Sequence, residues 1–595
     1  MIHPLDEADT RPGFPPAVPT KRARRRWGWA LLLVASWLFQ TGLRLWLARG
    51  QTLPLAAPDE PAYLIAARVM AGGVPDNFSY STLYPSGYPL LLTPLFWFSH
   101  FAHNPIAAYR AVLDINAPIG ALLLPLAYVA GRRLQLGRSL AYGVAFVTAL
   151  LPAGLFYTEY AMTDAIYPVL VLAWLLATHS WLTGRTARSC YLAAAGSGLL
   201  AGYLYAVHSR GLVIVAGYLV VGLLVWKRYI APRGTLAVAA GGLVVTALPC
   251  WLLNRYLASK MYPQGARSLS GEAKLRLDHT HGVILVIEMA FGQMWRFTLD
   301  GWGVAALGFV AAVYVLLRRA TAWDLRIMAG LAVSVTLVIA ITAPAALPPD
   351  QSQAWAGGRY LDCMITTFFI PGCVVLLRAG FDAQACRRLL AGAALVVPLA
   401  VVTAVAVYAY AGASVSTAGF TGGFTFAEPA VLTQNWTSAS VLLATVGGLA
   451  LLAVWVAMTV VLPSRYTATV LAGLGLVSLV AVMQLTSHVS QASESAAAYD
   501  TTSFISSTGL KPGEGVAIGT GVNWSDWMPQ AYQVWWTPLR FFDPATQAPP
   551  PGVSVVELAW PAGQPAQASW PAAPRGWHIA ATDGSLGWVA WRHAA

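Results

Sequence analysis

KRARRRWGWALLLVASWLFQTGLRLWLARG, residues 21–50, decides the fold. Five of its first six residues are basic, and residues 27–48 then run mostly apolar, with Arg44 their one charged residue. An apolar run of ~18 residues or more spans the hydrocarbon core of a bilayer as a helix. A cationic cluster directly before such a run marks its cytoplasmic side. The same pattern is similar to the n-region of a signal peptide, but no small-residue cleavage site is convincing and Arg44 and Arg49 flank the far end. We therefore read a retained first span with the N-terminus in the cytoplasm. Residues 1–26 form a basic cytoplasmic tail, Pro-rich and polar over 1–20 and expected to be disordered.

Outward from this stretch the whole chain has the same character. Of 595 residues 57% are apolar and only 10% charged, too little polar surface to cover a soluble core. Further apolar runs fall near 107–130, 139–156, 161–182, 190–207, 211–226, 235–254, 300–317, 326–346, 362–378, 389–410, 438–461 and 467–486. Lys and Arg crowd alternate loops: Arg132, Arg133 and Arg138; Arg185 and Arg188; Lys227, Arg228 and Arg233; Arg318, Arg319 and Arg326; Arg378, Arg387 and Arg388; Arg465. Placing those loops inside predicts a polytopic α-helical membrane protein of about 13 spans, N-terminus in and C-terminus out. The count carries one open point, because 283–297 reads as a surface helix or a half-span. The net charge of +12 is thus mostly topological and gives no argument for nucleic acid. The five cysteines lie in or beside spans without CxxC spacing, so neither a zinc site nor a disulfide framework is indicated.

The predicted membrane domain covers 27–486, with long outer loops at 49–106, 255–299, 343–361 and 411–437. The first of these carries PDEP at 58–61, in which two prolines hold Asp59 and Glu60 on a stiff turn. AYLIAARVMA suits a helix, expected to lie at the membrane interface, and Gly72-Gly73 ends it. YPSGYP at 84–89 makes a second rigid turn, and its Tyr84 and Tyr88 read either as headgroup-level aromatics or as a rim that grips a sugar or a lipid head. Arg110 and Asp114 have the i, i+4 spacing of a local ion pair. Glu159 and Asp164 are carboxylates near membrane depth, where ionisable groups default to a functional hypothesis. His208 and Arg210 sit in a tight outer turn, where Arg210 could take a phosphate or pair with Glu159 or Asp164. Lys260, Arg267, Lys274 and Arg276 break the charge bias on the outer side and suit an anionic ligand. Asp278, His279 and His281 match no strong metal motif. At 357–360, Gly-Gly-Arg-Tyr puts Arg359 and Tyr360 at the outer mouth of a span. Loop 411–437, rich in Gly, Ser and Thr, is expected to be flexible.

Residues 487–595 change character and predict a small extracytoplasmic β or α+β domain. Candidate strands are 515–519, 532–536, 553–560, 577–581 and 586–591. The domain's nine tryptophans are divided between a core role and carbohydrate stacking. Sequons at Asn77, Asn435 and Asn523 are too short a signal to infer glycosylation. No P-loop, dinucleotide fingerprint, HExxH or kinase signature occurs.

These pieces together resemble a known superfamily. The loop PDEPAYLIAARVMAGG followed by YPSGYPLLLTPL is similar to the GT-C glycosyltransferases, in particular the branch that uses polyprenyl-phosphate sugars: protein O-mannosyltransferases, lipid A aminoarabinose transferases and actinobacterial arabinofuranosyl- and mannosyltransferases. AYRAVLDINAPIGALLLPLAYVAGRRL, YTEYAMTDAIYPVLVLAWLLAT, AVHSRGLVIV and AGGRYLDCMITTFFIP resemble later segments of that branch. The resemblance implies transfer of a sugar from the lipid carrier, with inversion, to a glycan, glycolipid or protein acceptor on the outer face of the plasma membrane. It implies Asp59 as the general base, Glu60 as an assisting or orienting group, and Arg210, Arg359 and Tyr360 around the donor phosphate. Tyr63, Tyr84, Tyr88, Glu159, Asp164 and His208 would line the substrate cavity. No cofactor is required, and the missing Asp-x-Asp gives a divalent metal no support. A flippase of lipid-linked saccharide and a non-catalytic envelope scaffold are the alternatives.

Overall fold

The computed structural model describes residues 21–594 apart from 52, 53, 55, 57, 58, 80, 229, 319, 320, 349–351, 413, 417–423, 464, 465, 492–503, 524–526, 528, 529, 531, 535, 536, 538, 562, 585 and 586. The expectations for the 1–20 tail, Pro58, Arg319, Arg465 and the tip of the 411–437 loop lie outside the described residues.

Among the described residues eleven helices are long and apolar enough to cross a membrane, and a twelfth crossing forms if the bent pair Arg138–Thr148 and Pro152–Glu159 is one span. The chain opens with α1 (Lys21–Leu47). Arg110 closes its far end by donating to the carbonyls of Ala48, Arg49 and Gln51. The predicted Arg110–Asp114 pair is therefore replaced by a cap: orphan carbonyls at a helix end carry partial negative charge and draw the guanidinium.

Helix α2 (Asp59–Met70) follows. Its first turn holds both acids, which suits the positive end of the helix dipole. Gly72, at φ +96°, takes the left-handed turn that ends it. Glu60 through Val69 are all buried, so α2 is not an interfacial helix. It is wedged against Phe78, Leu257, Met261 and Tyr262 and reaches toward the C-terminal domain through Trp527.

Two helix pairs fix the rest of the frame. Helices α3 (Ala187–Val207) and α4 (Gly234–Met261) touch through Gly198 and Gly202, where an added Cβ would collide with the Ala239 carbonyl and the Thr246 hydroxyl. A small-xxx-small stripe of this kind lets backbones approach closely in lipid. The segment 283–297, expected as a surface helix or a half-span, is part of α5 (Thr280–Leu299), which continues after a turn into α6 (Val304–Leu317). Trp295 bonds Thr445, Leu299 packs on Gly448 and Gly303 on Leu452, successive turns of one neighbouring helix. The two helices thus run end to end along that neighbour. Of the two, Thr280–Leu299 is long enough to cross a membrane by itself, whereas Val304–Leu317 and Tyr167–Thr183 are shorter apolar helices, so the eleven or twelve crossings among the described residues fall short of the thirteen expected. Gly308 and Gly372 bring α6 against α7 (Arg359–Ala379).

After Gln491 and the undescribed 492–503, a five-stranded sheet forms the C-terminal domain. Its strands are β1 (Gly515–Gly519), β2 (Arg540–Phe542), β3 (Val553–Ala559), β4 (Trp577–Asp583) and β5 (Trp588–His593), in the order β2-β1-β3-β5-β4. β1 runs parallel to β2 and β3, and the remaining pairings are antiparallel. The predicted strand at 532–536 is helical or turn where described, and β2 takes its place in the sheet. Tyr532 and Val534 are fully buried, the first donating to the Pro105 carbonyl of the membrane domain. Alternation of apolar side chains there reflects burial on two sides, not a pleat. Trp570 meets Phe542, Trp577 and Trp591 in tilted or edge-on contacts in the sheet's own core.

Candidate active site

Asp59 opens α2 and faces a cavity of about 1500 Å³ between the membrane bundle and the C-terminal domain. Its Oδ1 accepts a hydrogen bond from the Tyr84 hydroxyl at 2.7 Å. Its Oδ2 is ion-paired with the Arg359 guanidinium. Both side chains of the pair are 19% exposed, enough for a ligand in the cavity to reach them. Burial and the Asp59 charge hold the Tyr84 phenol well above its ordinary range, so it stays a donor.

A second pair stands beside the first. Arg210 Nη2 donates to Asp164 Oδ1 at 2.9 Å, and its Nη1 donates to the carbonyls of Arg359 and Tyr360 at 2.6 and 2.9 Å. Burial opposes the Arg210 charge, and Asp164 more than offsets it, so the guanidinium's pKa is raised. The ring of Tyr360 lies 5.8 Å from the Arg210 guanidinium and 5.7 Å from that of Arg359. His208 Nδ1 accepts from the Arg210 backbone N–H at 3.1 Å and from its Nε at 3.3 Å. Its proton therefore sits on Nε2. Burial, with Arg210 and Arg359 nearby, holds the imidazole well below its ordinary range and neutral at pH 7.

Of the residues singled out in the sequence, Asp59, Tyr63, Tyr84, Asp164, His208, Arg210, Arg359 and Tyr360 line this one cavity. The other three do not. Glu60 is fully buried behind Asp59, where it accepts from Tyr109 Oη at 2.7 Å, the Ala161 N–H at 2.6 Å and the Ala56 N–H at 2.6 Å. It orients the start of α2 by tying it to two distant segments. Glu159 accepts from Thr486 and Tyr88 donates to Asn116, both inside the bundle. The period of a helix does not say which of two neighbouring acids faces a cavity and which faces a neighbour.

Sequence reasoning missed part of the wall. Phe424 and Thr425, from the Gly-rich loop, are buried against the site, and Phe424 lies 5.9 Å from the Arg359 guanidinium. Thr520, Trp527 and Phe541 come from the C-terminal domain. Of the outer basic residues that the sequence did single out, Arg267 lines the cavity, with its guanidinium forked onto Glu272, and Lys260, Lys274 and Arg276 are not part of the lining. No group of three or more metal-ligating side chains is found among the described residues.

No protein-family profile matches the chain, and no curated protein matches it. The chain shares its architecture with several solved structures, among them two of one protein. One is ArnT from Cupriavidus metallidurans bound to undecaprenyl phosphate, with a TM-score of 0.55 and 16% identity over 96% of this chain and 98% of that one. The other is ArnT from the same organism in the apo state, with a TM-score of 0.54 and 16% identity over 95% and 98%. At this level of identity the likeness is one of fold.

Proposed function

We propose that the chain is a GT-C-type membrane glycosyltransferase that moves a sugar from a polyprenyl-phosphate carrier to an acceptor hydroxyl at the outer face of the plasma membrane. The observation that carries this reading is the paired arrangement Asp59–Arg359 and Asp164–Arg210 on the wall of one cavity in a membrane bundle. Support for the lipid donor comes from the shared fold with a protein whose structure holds undecaprenyl phosphate. The basic loops lie at the bundle end away from this cavity, which supports an outward site.

The geometry suggests an order of events. In the structure Asp59 is held by Arg359 and Tyr84. A phosphodiester entering the cavity competes for Arg359, since guanidinium binds phosphate oxygens in a fork. Drawing Arg359 away frees one carboxylate oxygen at the moment the donor is in place. The acceptor hydroxyl then attacks the anomeric carbon as Asp59 takes its proton, the bond from that carbon to the phosphate oxygen breaks, and polyprenyl phosphate leaves with the bonding pair. Arg210 and Arg359 stabilise the charge gathered on the leaving phosphate. A single displacement inverts the anomeric centre. No step in this scheme is assigned to a metal.

Asp59→Asn keeps the hydrogen bond with Tyr84 and removes the base. It should lower transfer by roughly a hundredfold to ten-thousandfold, with thermal unfolding in detergent essentially unchanged. Transfer at the wild-type rate by folded Asp59→Asn would remove Asp59 from the chemistry.

A further inference from the structure

The cavity lining is of two chemical kinds. One set carries the ions around Asp59. A second set makes a wall of six uncharged side chains, Asn77, Ser79 and Gln264 from the membrane domain and Thr520, Trp527 and Phe541 from the C-terminal domain. Its amides and hydroxyls are already ordered. Asn77 Nδ2 donates to Gln264 Oε1 at 3.1 Å, and Ser79 Oγ donates to the same oxygen. In return the Gln264 N–H donates to Ser79 Oγ at 3.0 Å, and the Ser79 N–H donates to Asn77 Oδ1 at 2.9 Å. Trp527 is half-buried, and Phe541 meets it edge-on, with ring centroids 5.0 Å apart and planes at 73°. That contact fixes the plane of the indole. Trp527 packs against the buried cluster around Phe78, Met261 and Tyr262, the cluster on which Tyr84, the donor to Asp59, also packs.

Side-chain amides and hydroxyls beside a fixed aromatic face are the chemistry that recognises a sugar ring. The amides meet hydroxyls edge-on, and the ring's C–H face lies on the indole. None of the six residues carries a charge for a phosphate, and the nearby Arg267 is already held by Glu272. We infer that this wall binds a saccharide ring of the acceptor, so that the acceptor is a glycan or glycolipid and the C-terminal domain takes part in selecting it. The inference rests on the glycosyl-transfer reading above and gives that reading its acceptor class. It also gives Trp527 a role distinct from that of the core tryptophans, which face one another inside the sheet.

The test uses the full-length protein in nanodiscs. Saturation-transfer NMR reports binding of a panel of neutral pentose and hexose trisaccharides, and native mass spectrometry reports binding of undecaprenyl phosphate. At least one trisaccharide should bind the wild-type protein. Trp527→Leu, which keeps apolar volume but removes the ring, should weaken it about tenfold. Trp527→Phe should retain most of the binding, and Asn77→Ala should lose much of it even if Trp527→Leu misfolds. Undecaprenyl phosphate should bind all of these variants equally. Failure of every trisaccharide to bind the wild-type protein overturns the inference, as does binding that persists unchanged in Trp527→Leu and Asn77→Ala. Trisaccharide binding without any binding of undecaprenyl phosphate would instead sink the donor reading and leave this site standing.

Discussion

At the residue scale the site turns on two carboxylates with different duties. Asp59 reaches the cavity, while Asp164 anchors Arg210 from below. Asp164 is thus a positioning residue in the proposed reaction. Asp164→Asn should leave Arg210 in place through the Arg359 and Tyr360 carbonyls, yet shift its orientation. The expected result is weaker binding of undecaprenyl phosphate with the pH profile of transfer unchanged, whereas Asp59→Asn should alter the rate and spare lipid binding. Arg359→Lys separates charge from shape. Lysine keeps the charge but has no planar fork, so donor affinity should fall roughly tenfold or more, as measured by native mass spectrometry. Equal affinity would mean that Arg359 serves only to hold Asp59. The adjacent Glu60 shows what the sequence leaves open at this scale. PDEP reads as an acidic pair on a turn, but the second acid is spent on Tyr109, Ala161 and Ala56. Only the positions of those partners, each far along the chain or across a turn, decide between the two.

At the element scale, close helix contacts set where α7 begins, and α7 carries Arg359. Gly308 of α6 sits against the Phe368 carbonyl, and Gly372 of α7 sits against the Val304 carbonyl, so neither has room for a Cβ. Gly308→Ala should destabilise the protein by about 1–3 kcal/mol, the usual cost of overpacking, read as a lower midpoint of thermal unfolding in detergent. Gly196, in whose Cβ direction no atom lies within 4 Å, is the control: Gly196→Ala should be neutral or slightly stabilising. Spans were legible as elements because ~18 apolar residues have few other uses. The break between α5 and α6 was legible too, as the gap between 283–297 and 300–317, but the packing of the turn was not, because the partner that fixes it, Thr445, lies 150 residues away.

At the scale of the whole molecule, the C-terminal domain is seated on the membrane domain through a few buried polar contacts. The Leu539 N–H donates to Asp76 Oδ1 at 3.4 Å, and Asp76 faces Arg68 at 3.6 Å. Burial pushes the Asp76 carboxyl up to about 6, with Arg68 and the Leu539 N–H pulling the other way. A carboxyl whose folded pKa is raised binds more protons in the folded state, so its contribution to stability falls as pH rises from about 4 to about 6 and is flat above that. Asp76→Asn keeps an acceptor for Leu539 and cannot titrate. The difference in unfolding midpoint between wild type and Asp76→Asn should therefore change across that window and level off above pH 6. A constant difference would show that Asp76 does not report on docking.

What the amino-acid sequence determined by itself is the membrane bundle, the alternation of its basic loops and the separate β-rich end. Each follows from local composition: long apolar runs, cationic flanks, and short alternating segments between prolines. Tertiary structure alone decided which polar residues meet. Asp59 and Arg359 are 300 positions apart in sequence, and Trp527 reaches the same cavity from another domain. Hydropathy and spacing act over one or two helical turns. The site is closed by contacts between elements that those signals treat as unrelated, so only packing of the whole chain brings its charges and rings together.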